Sequence, residues 1–226
     1  MSDPMVHRTK KTRVRASPQR SAGSSRWLQR QVNDPYVQRA RKEGYRSRAA
    51  YKLLEIDAKH RLLKRGLRVL DLGSAPGGWA QVAAQRGCKV VGVDLLSIEP
   101  IVGVELIKAD IEDEKTSSLL LNALGGPADL LLSDLAPSAT GQRAVDRLRS
   151  EAMGEIVLDL APALLRPGGH LLLKMLRGAD AVLADLARKS FKSVRLVRPD
   201  ATRRESSEIY LLAEQMRPAI DADPSS

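Results

Sequence analysis

Apolar runs alternate with amphipathic stretches along most of this chain. From residue 67 onward the runs fall at 68–72, 89–94, 103–107, 128–134, 170–174, 193–197 and 208–213. Several are apolar at consecutive positions, as strands covered by helices on both faces must be. Between them, 78–86, 115–124, 143–165 and 179–189 carry apolar residues at helical spacing. This alternation predicts a doubly wound α/β fold with a mostly parallel sheet. Upstream, Arg46-Ser-Arg-Ala-Ala-Tyr-Lys-Leu-Leu-Glu-Ile-Asp reads as a further helix. Ala50, Leu53, Leu54 and Ile56 face the core there, and Arg46, Arg48 and Lys52 lie nearer solvent.

Charge changes the picture at the start of the chain. The 226 residues carry a formal net charge of +10. Arg8, Lys10, Lys11, Arg13, Arg15, Arg20, Arg26 and Arg30 stand against Asp3 alone in residues 1–30, and no apolar face repeats there. Such a segment cannot bury enough surface to offset its ordering entropy, so 1–30 is expected to be a disordered basic arm. Three uses are open to it: a tether to RNA phosphates, a solvated tail, or an Arg-rich presequence. The folded domain is expected over 31–215, with a disordered tail at 216–226. A polyanion, nucleic acid first, is the partner that such a field suits. Aromatics make up only 3%, so a platform of stacked aromatic side chains is not expected.

One cysteine, Cys88, excludes an intrachain disulfide and a cysteine zinc site. It precedes an apolar run and is expected to be a buried core thiol. His7, His60 and His170 are too dispersed for a metal cluster, and no apolar run approaches the roughly 20 residues that span a membrane.

The candidate chemistry sits at strand ends, where doubly wound sheets bind ligands. The first strand runs into Asp71-Leu-Gly-Ser-Ala-Pro-Gly-Gly-Trp79, whose Gly73, Gly77 and Gly78 allow sharp turns and close approach of a ligand. This is neither the dinucleotide pattern nor a P-loop, which needs a lysine. Asp94 ends the second strand, where an acid accepts from ribose hydroxyls. Asp110 follows the third and is placed to accept from an adenine amino group. Any one of these acids could be a loop cap; acids on successive strand ends favour a nucleoside site.

These residues resemble the FtsJ/RrmJ-type ribose methyltransferases. The likeness rests on Asp71–Trp79, Arg46-Ser-Arg-Ala-Ala-Tyr-Lys52, Ser133-Asp-Leu-Ala-Pro137, Leu173-Lys-Met-Leu-Arg-Gly178 and Ser207-Glu-Ile-Tyr210, and runs from about Trp27 to Ala213. It implies a Rossmann-like fold of the class that uses S-adenosylmethionine, with a seven-stranded sheet whose last strand is antiparallel. It further implies a catalytic group at Lys52, Asp134, Lys174 and Glu208, and cofactor contacts at Gly77, Trp79, Asp94, Asp110 and Asp134. Within the family the likeness is to bacterial enzymes that methylate a uridine ribose 2′-hydroxyl in the A-loop of 23S rRNA. A cytoplasmic monomer is then expected to act on large-subunit rRNA, with the assembled subunit as its substrate, and to need neither metal nor membrane.

The residue types suit that chemistry. A ribose hydroxyl is a poor nucleophile until its proton is removed or polarised, so the site mainly needs alignment and a proton acceptor. Two roles are open to Lys174: it takes the proton, or it stays charged and orients the hydroxyl while Asp134 or water takes it. A structural salt bridge to Glu208 would also explain a lysine at the end of an apolar strand. Arg46 and Arg48, with Lys42 and Arg39 beyond, are expected to bind RNA phosphates. Other readings are a tRNA or mitochondrial rRNA substrate, a non-catalytic RNA- or ribosome-binding module, and a nucleotide-dependent oxidoreductase. The intact Lys-Asp-Lys-Glu set argues against the module, and the glycine pattern against the oxidoreductase.

Overall fold

The computed structural model describes residues 28–29, 31–137 and 139–218. The basic arm therefore lies outside the described residues, apart from Leu28 and Gln29, which are helical. Seven strands form one sheet: β1 (Arg68–Leu72), β2 (Lys89–Asp94), β3 (Val104–Lys108), β4 (Ala128–Ser133), β5 (Leu165–Leu176), β6 (Phe191–Val197) and β7 (Glu208–Met216). Their order is β3-β2-β1-β4-β5-β7-β6. β1 to β5 pair in parallel, and β7 runs antiparallel to both β5 and β6.

The period-2 pattern of the strands sorts their side chains into two cores. Leu70, Leu72, Val91, Val93, Leu131 and Leu173 face helices α4 (Glu114–Leu124), α5 (Arg143–Leu164) and α6 (Asp180–Ser190). Val69, Val90, Leu130, Leu132, Leu172 and Leu212 face α2 (Ala49–His60) and α3 (Gly78–Gln85). Each fully buried leucine contributes about 1.5–3 kcal/mol relative to an exposed one. Cys88 is buried as expected, and burial pushes its thiol up to about 11; its sulfur donates to the Lys64 carbonyl.

Local signals fix the helix ends. Asp34 caps α1 (Pro35–Glu43) by accepting from the N–H of Tyr36 at 3.0 Å, and Pro35 at the first position needs no partner. Asp113 caps α4 in the same way through Lys115 N–H. Gly154 in α5 permits close packing of α6: a Cβ there would lie 2.5 Å from Leu183 Cδ1.

Three boundaries differ from the sequence reading. The helix expected from Arg46 begins at Ala49, and the Arg46 N–H ahead of it donates to Gln81 Oε1 of α3 at 3.1 Å. β5 begins at Leu165 rather than His170. Pro167-Gly168-Gly169 does not end the strand but is absorbed where the register shifts from Ala128↔Leu165 to Leu130↔His170. β7 continues through Met216, which pairs with Phe191 and is buried, so the domain extends past the expected limit at 215.

Candidate active site

Sheet register brings the candidate residues to one edge. β1 and β4 align Leu72 with Ser133, and β4 and β5 align Ser133 with Leu173. Asp134 and Lys174, one residue further on, are therefore neighbours. β5 and β7 align Lys174 with Tyr210 and Leu176 with Glu208. Because side chains alternate along a strand, Glu208 and Tyr210 point to the same face.

A cleft of about 550 Å³ opens at these carboxyl ends, lined by Gly73, Asp94, Asp110, Ile111, Asp134 and Leu135 among others. Ligand pockets commonly fall in this range. Leu95 and Leu96, on its rim, are 62% and 67% exposed, apolar surface suited to the flat face of a base. The acids also serve their loops. Asp94 accepts from the N–H of Ala75 and of Leu96, each at 2.9 Å, and Asp110 accepts from Glu112 N–H at 3.0 Å. Each carboxylate oxygen can accept more than one bond, so this capping leaves acceptor capacity facing the cleft.

Gly77 and Trp79 lie outside the lining of this cleft. Gly77 heads α3 in the left-handed region at φ 101°, and a Cβ there would sit 2.4 Å from Ile101 Cδ1. Trp79 is buried; its indole N–H donates to Ala49 O at 2.8 Å, and its ring lies 5.7 Å from that of Tyr210. Trp79 and Gly78 line a small recess beside the cleft instead.

Lys52, Asp134, Lys174 and Glu208 form two ion pairs. Lys52 Nζ is 2.6 Å from Glu208 Oε1, and Lys174 Nζ is 2.9 Å from Asp134 Oδ1. Lys174 also donates to the Asp134 main-chain oxygen. The four side chains are only 12–19% exposed, so these are not solvated surface pairs. Lys52, expected nearer solvent, is drawn inward by Glu208. Burial opposes the charged form of Glu208, but the Lys52 charge, hydrogen bonds from Lys52 and Tyr210 and the Lys174 charge outweigh it and hold the carboxyl below its usual range.

Tyr210 joins the two pairs, a role that the sequence reading missed. Its hydroxyl donates to Glu208 Oε1 at 2.5 Å and lies 3.5 Å from Asp134 Oδ1. Burial, with the two carboxylates beside it, raises the phenol well above its ordinary value. The available signal was its place two residues after Glu208 on a predicted strand.

The expected phosphate contacts are otherwise engaged. Arg46 donates to the carbonyls of Glu99 at 2.6 Å and Pro100 at 2.5 Å, tying the loop after β2 to the α1–α2 turn. Arg48 pairs with Asp34 at 2.7 Å and donates to Ala201 O, while Arg203 reaches the same Asp34 oxygen at 2.9 Å. Both arginines tie separate segments of the fold together through these bonds. Arg39 pairs with Glu43 on the exposed face of α1, and Lys42 is exposed beside it. Among the described residues, no three His, Cys, Asp or Glu side chains are grouped to hold a metal ion. No described helix is long and apolar enough to cross a membrane.

A parallel sheet that takes its seventh strand in reverse between the fifth and sixth, with a nucleoside-sized cleft at the carboxyl ends, is the arrangement of the Rossmann-like methyltransferases. This fold and site belong to that class. Within it, the chain belongs to the FtsJ-like methyltransferase family, whose profile matches residues 45–216. It is 48% identical over 208 residues to the ribosomal RNA large subunit methyltransferase E of Acidiphilium cryptum, covering 91% of this chain and 92% of that one. The protein of the same name from Rickettsia akari is 44% identical over 216 residues, 92% of this chain and 95% of that one. Among solved structures, a ribosomal RNA methyltransferase from Plasmodium falciparum superposes with a TM-score of 0.70 at 30% identity, covering 77% of this chain and all of that one. Membership of this family implies a methyl donor.

Proposed function

We propose that this chain transfers the methyl group of S-adenosylmethionine to the 2′-hydroxyl of a uridine ribose in the A-loop of 23S rRNA, on the assembled large subunit. It does so as a cytoplasmic monomer. The observation that carries the reading is the pair of buried Lys–carboxylate contacts bridged by Tyr210, with Asp134 also lining the acid-edged cleft. The names of the relatives support ribosomal RNA as the substrate.

Asp94, Asp110 and Asp134 offer acceptors for the hydroxyl and amino groups of the donor's nucleoside, and Leu95 and Leu96 offer apolar cover. Gly77 and Trp79 act beside them by shaping the α3 end of the site. When bound, the donor supplies an activated methyl carbon with its own leaving group. The chain's work is alignment and proton handling. Lys174 donates to both the side chain and the main chain of Asp134, which fixes its nitrogen beside the cleft. That geometry supports the orienting role, with charge stabilisation as the oxygen becomes negative, and leaves Asp134 as the proton acceptor. Lys52 and Glu208, locked to each other, hold Tyr210 and through it Asp134 in place. The basic residues of 1–30 add a sequence-independent attraction to RNA phosphates.

The test is incubation of the chain with labelled S-adenosylmethionine and undermethylated large subunits, then nucleoside mass spectrometry. The expected product is a single 2′-O-methyluridine in 23S rRNA. A methylated base, or transfer to tRNA alone, overturns the proposal.

A further inference from the structure

The amino ends of the strands, opposite the cleft, carry a dense cationic surface. Arg61, Lys64 and Arg65 lie between α2 and β1, Arg86 follows α3, and Lys89 begins β2; all five are exposed. Arg68 at the start of β1 and Arg166 near the start of β5 extend the set, and both reach Asp129. Contacts join these cations into one patch. The Gly66 N–H donates to Gly87 O and the Lys89 N–H to Leu67 O, each at 2.9 Å, which seats the α2–β1 loop against the turn before β2. A Cβ at Gly87 would lie 3.0 Å from Arg65 Cγ, and one at Gly125 3.1 Å from Lys89 Nζ, so both side chains lie across bare glycine backbone. Burial chiefly lowers the His170 imidazole; Glu214 and Asp129 oppose this, and the Arg166 and Lys64 charges add to it, which places both cations near one ring.

The acids of this edge are sunk beneath the cations. Asp57 pairs with Arg86 at 3.4 Å and is 8% exposed, and Asp129 is 14% exposed. Glu214, beyond His170, is held by Arg195 at 2.7 Å. Among the described residues, Arg61, Lys64, Arg65 and Lys89 have no ion pair. Residues 31–226 carry 29 basic and 26 acidic side chains, a net +3, whereas this edge sets seven cations against two acids. It therefore holds more positive charge than the whole chain beyond the arm, and the remainder is slightly acidic. A field so segregated suits an extended polyanion.

We infer that this edge binds the backbone of a second rRNA segment while the cleft holds the target nucleoside. The inference rests on the rRNA substrate proposed above. β1 and β2 are five and six residues long, which sets the two edges about 17–20 Å apart. RNA bound here is therefore a different stretch from the one that delivers its ribose to Lys174. A folded RNA presents two such stretches at once, and a short oligonucleotide does not reach both. No aromatic residue stands in 57–68, 85–90 or 162–170, so the contact is to phosphates, which position an RNA, and not to stacked bases.

The test combines Arg61→Gln, Lys64→Gln, Arg65→Gln and Lys89→Gln in the full chain and spares the cations paired with buried acids. Affinity for undermethylated large subunits is measured against salt. Losing four phosphate contacts should make the slope of log affinity against log salt shallower by about 3, and should raise KM for subunits about tenfold at moderate salt. The kcat at saturating subunits and the calorimetric affinity for S-adenosylmethionine should not change. Affinity for a short RNA that carries the target nucleotide should change far less; an equal loss on both substrates would mark a general field effect and overturn the inference. An unchanged slope and KM overturn it too, and leave the methyltransferase reading standing. Should the combined variant fail to fold, Arg61→Cys bearing a photo-crosslinker serves, since Cys88 is buried. It should link to rRNA away from the methylated nucleotide, and links to ribosomal protein alone overturn the inference. Absence of transfer to subunits by the wild type overturns the underlying reading instead.

Discussion

Replacing Lys52 with methionine isolates the energetics of the site. The pair that it breaks is short, 2.6 Å, and its side chains are 12% and 16% exposed. Removing one partner of a buried pair costs about 3–5 kcal/mol, because the other charge is left without its counter-ion. Glu208 keeps the Tyr210 hydroxyl and some attraction to Lys174, which places the expected loss at the lower end, about 3 kcal/mol. For a domain of this size that lowers Tm by about 6–12 °C. Urea unfolding followed by circular dichroism measures it.

The pH dependence separates this account from a simple loss of packing. In the wild type the depressed Glu208 carboxyl contributes stability above its unfolded pKa, and this is lost as pH falls through the folded value. In Lys52→Met, burial acts on Glu208 without its main counter-charge, so the carboxyl moves up and the variant suffers most at neutral pH. The gap between the two proteins should therefore narrow from pH 7 toward about pH 4.5. Lys52→Met combined with Glu208→Leu should recover most of the loss, since no charge is stranded. A single-variant cost below about 1 kcal/mol, the worth of a surface pair, or a gap that does not change with pH, refutes the reasoning.

Lys174→Ala should lower methyl transfer about 10²–10³-fold while calorimetric affinity for the donor stays near the wild-type value; normal turnover would remove Lys174 from the site's chemistry. Asp94→Ala should weaken donor binding by about tenfold to a hundredfold, as expected for losing a hydrogen bond to a charged acceptor, and unchanged affinity would reject its ribose role. Gly154→Ala drives a methyl against fully buried Leu183 and should cost about 1–3 kcal/mol in urea unfolding. Deleting residues 1–26 should flatten the dependence of RNA affinity on salt; an identical slope would mean that the arm's charges do not meet phosphate.

The fold was legible because strands apolar on both faces leave one architecture open, and six of the seven predicted strands start within two residues of their places. The strand-end acids were legible for the same reason: once the strands are drawn, Asp71, Asp94 and Asp110 fall at successive strand ends, whereas Asp134 was singled out by the family likeness. Partners across the chain were not legible. Arg48 reads as a solvent-facing helix residue, yet its guanidinium bonds Ala201, 153 positions away. A charge pattern records that a cation exists, and only the packed fold decides whether a carbonyl, a carboxylate or an RNA phosphate receives it. Tyr210 was hidden in another way. An aromatic residue in an apolar strand looks like core, and it is core, fully buried; what pattern does not show is the one oxygen at the end of that ring, which donates to Glu208.

Strand direction explains why the site draws on different parts of its strands. Asp134 follows the carboxyl end of β4, and Lys174 lies near that of β5, as ligand-binding residues of parallel sheets do. β7 is antiparallel, so the residue that it delivers to the same edge is its first, Glu208. A parallel strand would offer its last residue there and carry Glu208 to the opposite edge of the sheet, away from Lys52. Register matters as much as direction. Shifting β7 by one residue against β5 would turn Glu208 and Tyr210 to the other face, leaving Lys52 buried without its carboxylate. The buried residues on both sides of β7, Ile209 and Leu211 on one and Tyr210 and Leu212 on the other, oppose such a shift. The side-chain fit that fills both cores along β7 therefore also sets the placement of the ion pairs.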